Sequence, residues 1–326
     1  MEALEGGREL SCSGAGGHPA PEPGAVPVVP LARPLSARTV RVELEYDGER
    51  FSGWQQQARH RTVQAVVEDT LARVLRAPTH VAGAGRTDAG VHAERMTASF
   101  DTGHALAAAD LRRALDALLP EDVGVLDLYD VLPGFHALRD ARWKWYRYAM
   151  MRSRWRRVHA RRTMWRVGAR LDVDRMRAAA GLLLGRQDFA SFQSSGSPRR
   201  TTVRTVLGLR LEEEGEALRL DVLADGFLYG MVRAVAGTLT EVGRGRLQVG
   251  DVPRILAAHD RTRAGPAAPA HGLTLVRVGY DGDDLPAFVD PALRYVLESK
   301  GDLESKGAPE SRASPLHRTA PGGSQP

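Results

Sequence analysis

Cysteine is nearly missing from this 326-residue sequence: Cys12 stands alone, so no intramolecular disulfide can form and no cysteine-based zinc or iron-sulfur site can be built. That usage fits an intracellular, cytoplasmic chain. Lysine is almost as scarce, with Lys144, Lys300 and Lys306 the only three. No stretch approaches the roughly 18 uninterrupted apolar residues that a spanning helix needs. With a mean hydropathy of −0.30, the chain is expected to be soluble and to have no membrane partner. Familiar chemical signatures are missing too: there is no HExxH, no paired-carboxylate motif for two-metal chemistry and no GxSxG elbow. A dinucleotide fingerprint is excluded because Gly83 and Gly85 are followed by Asp88 where the third glycine or alanine belongs. His92, His104 and His136 are scattered and read as structural rather than as ligands. No metal or cofactor is expected.

Hydrophobic residues make up 43% of the chain, which excludes a wholly disordered protein and suffices for a sizeable core in one to three domains. Lys and Arg number 45 against 40 Asp and Glu, giving a net charge of +5 and a pI near 9.6. The charge is unevenly placed. Between residues 139 and 170, twelve cations meet a single acid, Asp140. Trp143, Trp145, Tyr146, Tyr148, Trp155 and Trp165 are interleaved there with Arg142, Lys144, Arg147, Arg152, Arg154, Arg156, Arg157, Arg161 and Arg162. A charge run is ordinarily a solvated face. Rings that can stack on unpaired bases, set among guanidinium groups that neutralise phosphates, point instead to RNA.

Residues 1–37 are rich in Gly, Pro and Ala, without an apolar period or a targeting pattern, and are expected to be a disordered extension. Residues 291–326 turn polar, contain LESKG twice and are expected to be a disordered tail. Between them the hydrophobic periods predict strand 41–46, a helix opened by Thr62, short strands near 80–84 and 95–101, helix 107–119 stopped by Pro120, and strand 123–130. The same βαββαβ order follows again: strand 143–150, helix 173–184, strands 203–212 and 217–224, helix 227–242 and strand 273–280, with an extra helix at 249–258. The expected fold class is α+β: two ferredoxin-like units, 38–135 and 136–290, whose antiparallel sheets each carry helices on one face and leave a central RNA-binding cleft.

Two segments invite chemistry. The run Gly83-Ala-Gly-Arg-Thr-Asp-Ala-Gly-Val-His-Ala93 lies between two strands of the first unit. It reads either as a plain glycine-rich turn or as a loop that presents the Asp88 carboxylate beside the Arg86 cation. The run Phe227-Leu-Tyr-Gly-Met-Val-Arg233 opens the last long helix, and most of it suits a core face. Arg233 is the exception, because a guanidinium among apolar neighbours needs a carboxylate or phosphate partner unless it snorkels to the surface.

Seven blocks together resemble the tRNA pseudouridine synthase A family: Tyr46-Asp-Gly48, Phe51-Ser-Gly-Trp-Gln-Gln-Gln57, Gly85-Arg-Thr-Asp-Ala-Gly-Val-His-Ala93, Phe135-His-Ala137, Tyr146-Arg-Tyr148, Asp188-Phe-Ala-Ser-Phe192 and Phe227-Leu-Tyr-Gly-Met-Val-Arg233. The resemblance spans roughly residues 42–280. It implies a duplicated ferredoxin-like fold and a cofactor-free homodimer that isomerises uridines 38, 39 and 40 in the anticodon arm of tRNA. By the same resemblance Asp88 is the catalytic aspartate, Arg233 its ion-pair partner, Arg86 a holder of the displaced nucleotide, and Tyr146 the ring against the target uracil. Arg147, Arg152, Arg154 and Arg156 join the expected RNA contacts. The sequence departs from the family pattern at Leu138, where arginine is usual, and at Gly230 and Ala234, where a polar side chain and asparagine are common. The competing expectation is a non-catalytic RNA-binding protein on the same fold.

Overall fold

The computed structural model describes residues 37–196 and 201–296. Of the expected extension 1–37 and the expected tail 291–326, all but residue 37 and residues 291–296 lie outside the described residues. In the first half, β1 (Arg38–Tyr46) turns Val40, Val42, Leu44 and Tyr46 into the core and Arg41 and Glu43 to the other face, as the two-residue period of a strand requires. Helix α1 (Val63–Leu75) is capped by Thr62, whose hydroxyl accepts the Ala65 amide, and it buries Val63, Val67, Leu71 and Leu75 along one stripe. β2 (Ala82–Gly83) is only two residues long. β3 (His92–Thr102), α2 (Ala108–Leu118) and β4 (Val123–Val131) complete the unit.

The second half runs through β5 (Trp143–Met151), β6 (Trp165–Arg166), α3 (Val173–Gly181), β7 (Gly185–Asp188), β8 (Val203–Glu214), β9 (Ala217–Ala224), α4 (Met231–Gly243), α5 (Asp251–Ala258) and β10 (Leu273–Gly279). The α+β, duplicated βαββαβ expectation holds. The strands pair as β4-β1-β3 with β2 on the outer edge of β3, then β10-β5-β9-β8, so both halves share one strand order. The edge strand β7 and the short β6 carry no periodic signal and escaped the sequence reading.

The two sheets are continuous. β2 covers β3 only at Ser99 and Ala98, and the uncovered start of β3 pairs in parallel with β10 through His92↔Thr274 and Ala93↔Leu275. A longer β2 would occupy that edge. The chain between β2 and β3 therefore emerges at the seam of the two halves, and that chain is the glycine-rich loop.

One large core lies between the sheet and its helices. Burying each large apolar side chain there contributes about 1.5–3 kcal/mol. The opposite face of the second half is also covered: Trp143, Leu207, Leu223 and Val289 are buried, with Trp145, Leu285, Phe288, Leu293 and Val296 packed against them. Residues 285–296 thus fold back onto the sheet, and the 3-10 turn Pro291–Leu293 belongs to this cover. Two helices end differently from their periodic pattern. α3 stops at Gly181, and Leu182–Leu184 turn through 3-10-type bonds into Gly185, which has φ +87°. α4 starts at Met231, because Gly230 before it is left-handed at φ +68°. Phe227 and Leu228 precede it in a turn yet still pack into the core.

Candidate active site

The loop from residue 84 to 91 is held mainly by backbone hydrogen bonds. The Ala84 amide donates to the Thr97 carbonyl, the Trp54 amide to the Thr87 carbonyl at 3.1 Å, and the Gly90 amide to the Phe51 carbonyl at 3.2 Å. Thr87 is buried and shares a 2.9 Å hydrogen bond with the Tyr46 hydroxyl. Gly53 has φ +90°, and a β-carbon there would lie 2.5 Å from the Thr87 carbonyl oxygen, so glycine is required for this approach. The blocks around Tyr46 and Phe51 thereby acquire a physical role as the cradle of the loop. At its end, His92 Nδ1 accepts the Gly48 amide at 3.0 Å, which leaves Nε2 to donate to the Arg162 carbonyl at 3.0 Å. His92 is a structural histidine, as its isolation suggested.

With the backbone fixed, Asp88 meets Arg233 from the other half of the chain: Nη1 donates to Oδ2 at 3.1 Å. The contact is one-pronged. Arg233 Nε donates to the Ala268 carbonyl at 2.8 Å, and the Ala268 amide donates back to the Arg233 carbonyl at 3.0 Å. The guanidinium is thus aimed by a strap, residues 268–271, and uses one nitrogen on Asp88, leaving Oδ1 without a hydrogen bond among the described residues. Asp88 and Arg233 keep 17% and 24% of their side-chain surface, so the pair is open to a ligand on one side rather than sealed in the core.

Tyr146 lies on the core side of β5 and is nearly buried, its ring edge-on to Phe227 at 5.1 Å. Burial pushes its hydroxyl above the ordinary phenol range, and the Asp88 charge pushes it the same way. It is a neutral ring beside a carboxylate. Tyr148 next along that face donates to the Pro269 carbonyl at 2.7 Å, and burial raises its hydroxyl more than Arg233 lowers it. Arg86 is exposed on the loop and forms no ion pair among the described residues.

The basic run divides into two sets. Arg147 points to the opposite face from Tyr146, where its Nε donates to Asp221 at 2.9 Å; Arg210 and the Trp145 indole bind the same fully buried carboxylate. Arg152 is held by Glu213 at 2.6 Å and the Gly215 carbonyl, Arg157 by Glu216, and Arg162 by Glu49 at 2.9 Å. These arginines knit the fold together. Arg154, Arg156, Arg161 and Arg166 form no ion pair among the described residues, although Arg154 lies over the exposed Trp155 ring at 5.2 Å. The structure therefore gathers Asp88, Arg233 and Tyr146 at the seam, with Arg86 on the Asp88 loop, and separates Arg147 and Arg152 from them. The strap was invisible to sequence reasoning because its work is done by carbonyls, which every residue carries. Among the described residues no group of acids, histidines or cysteines could hold a metal ion. None of the described helices is long and apolar enough to cross a membrane.

The sequence model of a family described as "tRNA pseudouridine synthase" matches residues 44–132 and 179–281. A protein named tRNA pseudouridine synthase A from Geobacter sp. (strain M21) is 43% identical over 244 residues, covering 74% of this chain and 99% of the relative. Its namesake from Syntrophotalea carbinolica is 44% identical over 75% of this chain and 97% of the relative. Another from Thermoanaerobacter sp. (strain X514) is 38% identical over 74% of this chain and all of the relative. The matched segments carry both the glycine-rich loop and the turn that leads to Arg233, and the chain belongs to the tRNA pseudouridine synthase family.

Proposed function

We propose that this chain is an isomerase that converts uridine to pseudouridine in tRNA, at positions 38, 39 and 40 of the anticodon arm, working in the cytoplasm as a homodimer. The observation that carries the reading is the 3.1 Å pair between Asp88 and Arg233, two residues 145 positions apart, on a carboxylate that keeps part of its surface open. The reaction breaks the N1–C1′ bond, turns the uracil and joins C5 to C1′. The C5 proton is lost and N1 gains one, so nothing is added overall. Glycoside hydrolysis ordinarily needs a second carboxyl to activate water. An isomerase needs one acid and a dry pocket, which suits a lone Asp88.

Oδ1, without a hydrogen bond among the described residues, is the oxygen that meets the sugar, as a nucleophile at C1′ or as a base acting on the ribose. Arg233 holds the other oxygen and keeps the carboxylate aimed. Tyr146, neutral and edge-packed on Phe227, forms the wall against which the uracil lies and turns. A nucleotide in a stacked arm must be flipped out at a cost of a few kcal/mol. Arg86 on the loop, with Arg154, Arg156, Arg161 and Arg166 of the basic run, holds the displaced strand.

The test is Asp88→Asn, which removes the charge and keeps the shape. Its expected behaviour is normal melting and tRNA binding with at least about a thousandfold loss of pseudouridine formation. Turnover equal to wild type in that variant overturns the assignment. An unaltered protein that binds anticodon-arm RNA and forms no pseudouridine is the non-catalytic binder instead, and release of free uracil reveals a hydrolase.

A further inference from the structure

Beside the active site, across the 268–271 strap, lies a second cleft of about 330 Å³, lined by Met151, Met164, Trp165 and His271 with arginines at its rim. Arg156, Arg157, Arg161 and Arg166 form that rim. Three of the four, Arg156, Arg161 and Arg166, form no ion pair among the described residues, and all three are exposed. An indole and two thioethers under three unneutralised guanidinium groups is the chemistry of a flat apolar ring that carries phosphate. The Trp165 ring is held edge-on by Tyr148 at 6.1 Å and has Arg244 at 5.6 Å from its centre. Its position is set before any ligand arrives.

The cleft is tied to the reacting groups at three points. His92, which ends the Asp88 loop, donates to the carbonyl of Arg162, within the segment that lines the cleft. Ala270, next to His271, sits 3.3 Å from the place a β-carbon on Gly90 would take, against the Asp88 loop. Ala268, at the start of the same strap, accepts from Arg233. One short segment therefore has the ion pair at one end and this cleft at the other.

We propose that the cleft is a second nucleotide site, which takes one unpaired, non-target nucleotide of the same RNA, its base against Trp165 and Met164 and its phosphate among Arg156, Arg161 and Arg166. This inference rests on the tRNA-modifying reading and assigns it a docking point that positions the arm while the target base is extruded.

The experiment uses the full chain carrying Asp88→Asn, so that binding is read without turnover, and an unmodified anticodon stem-loop RNA. Adding Arg156→Ala, Arg161→Ala and Arg166→Ala is expected to weaken binding about tenfold or more and to reduce the salt slope by about 0.7, the value for one single-strand phosphate. Each loop nucleotide is then made abasic in turn. One non-target position is expected to cost affinity with the intact cleft and nothing with the triple variant, which is the coupling of a direct contact. Unchanged affinity and slope, or abasic losses that simply add to the arginine losses at every position, overturn the site. Arg→Gln replacements at the same positions serve if the alanine variant melts early. Failure here leaves Asp88 untouched, whereas turnover by Asp88→Asn on its own removes the catalytic reading and leaves the binding result standing.

Discussion

The two halves of the chain share one strand order and differ most in their second strand, two residues in β2 against twelve in β8. In the second half, β8 runs along β9 from Val206 to Glu214 and closes that edge. In the first, β2 leaves the start of β3 open, and β10 from the other half takes the place. One shortened strand thereby does two things: it joins the halves into a single sheet and delivers the Asp88 loop to the junction. The duplicate then contributes what the first copy lacks, namely Arg233, Tyr146 and the strap. A duplicated fold has become asymmetric by division of labour, with the acid in one copy and its orienting groups in the other.

The sharpest way to break that division is Arg233→Ala. It is expected to lower kcat/KM by about a hundredfold or more, because Asp88 loses its aim and its counter-charge together, with a melting shift equivalent to about 1–2 kcal/mol. Arg233→Lys should recover part of the stability and little of the rate, since an ammonium cannot reach Asp88 and the Ala268 carbonyl as one planar fork does. Equal kcat/KM in the alanine variant would show that the halves do not share the chemistry.

Asp221→Ala sharpens the contrast from the opposite face of the sheet. This fully buried carboxylate gathers Arg147, Arg210 and the Trp145 indole, and its loss leaves the donors aimed at it without their acceptor. Destabilisation of about 3 kcal/mol is expected in denaturant unfolding, with near-normal activity per folded molecule. A selective loss of RNA affinity with unchanged stability would instead return Arg147 to the RNA-contacting set.

A smaller effect is expected at Phe288, which covers that face after the repeat has ended and packs on Trp145 at 5.3 Å. Phe288→Ala should cost about 2 kcal/mol, below the range for a fully buried phenylalanine because the ring is only partly covered. No change in melting would mean that the cover is not part of the cooperative unit.

Much of this was legible beforehand where one residue's neighbours in sequence are also its neighbours in space. The alternation of β1 and β5, the Thr62 cap and the stripe of α1 followed their periods closely. The start of α4 did not, because Phe227 and Met231 keep a helical spacing across a turn that Gly230 breaks with a left-handed backbone. The basic run was visible as a run. Its division into arginines that bind Glu49, Glu213, Glu216 or Asp221 and arginines that bind no acid among the described residues depends on residues far away in the sequence.

By itself, the amino-acid order determined the repeated βαββαβ pattern, the lone carboxylate in a glycine-rich loop and the arginine in need of a partner, since these rest on local periodicity and side-chain chemistry. Only the tertiary structure decided that the two meet at 3.1 Å, that one carboxylate oxygen has no hydrogen bond among the described residues, and that a strap of backbone carbonyls links them to a second cleft. Such features come from hydrogen bonds between segments distant in sequence and from groups common to every residue, and no local pattern encodes either.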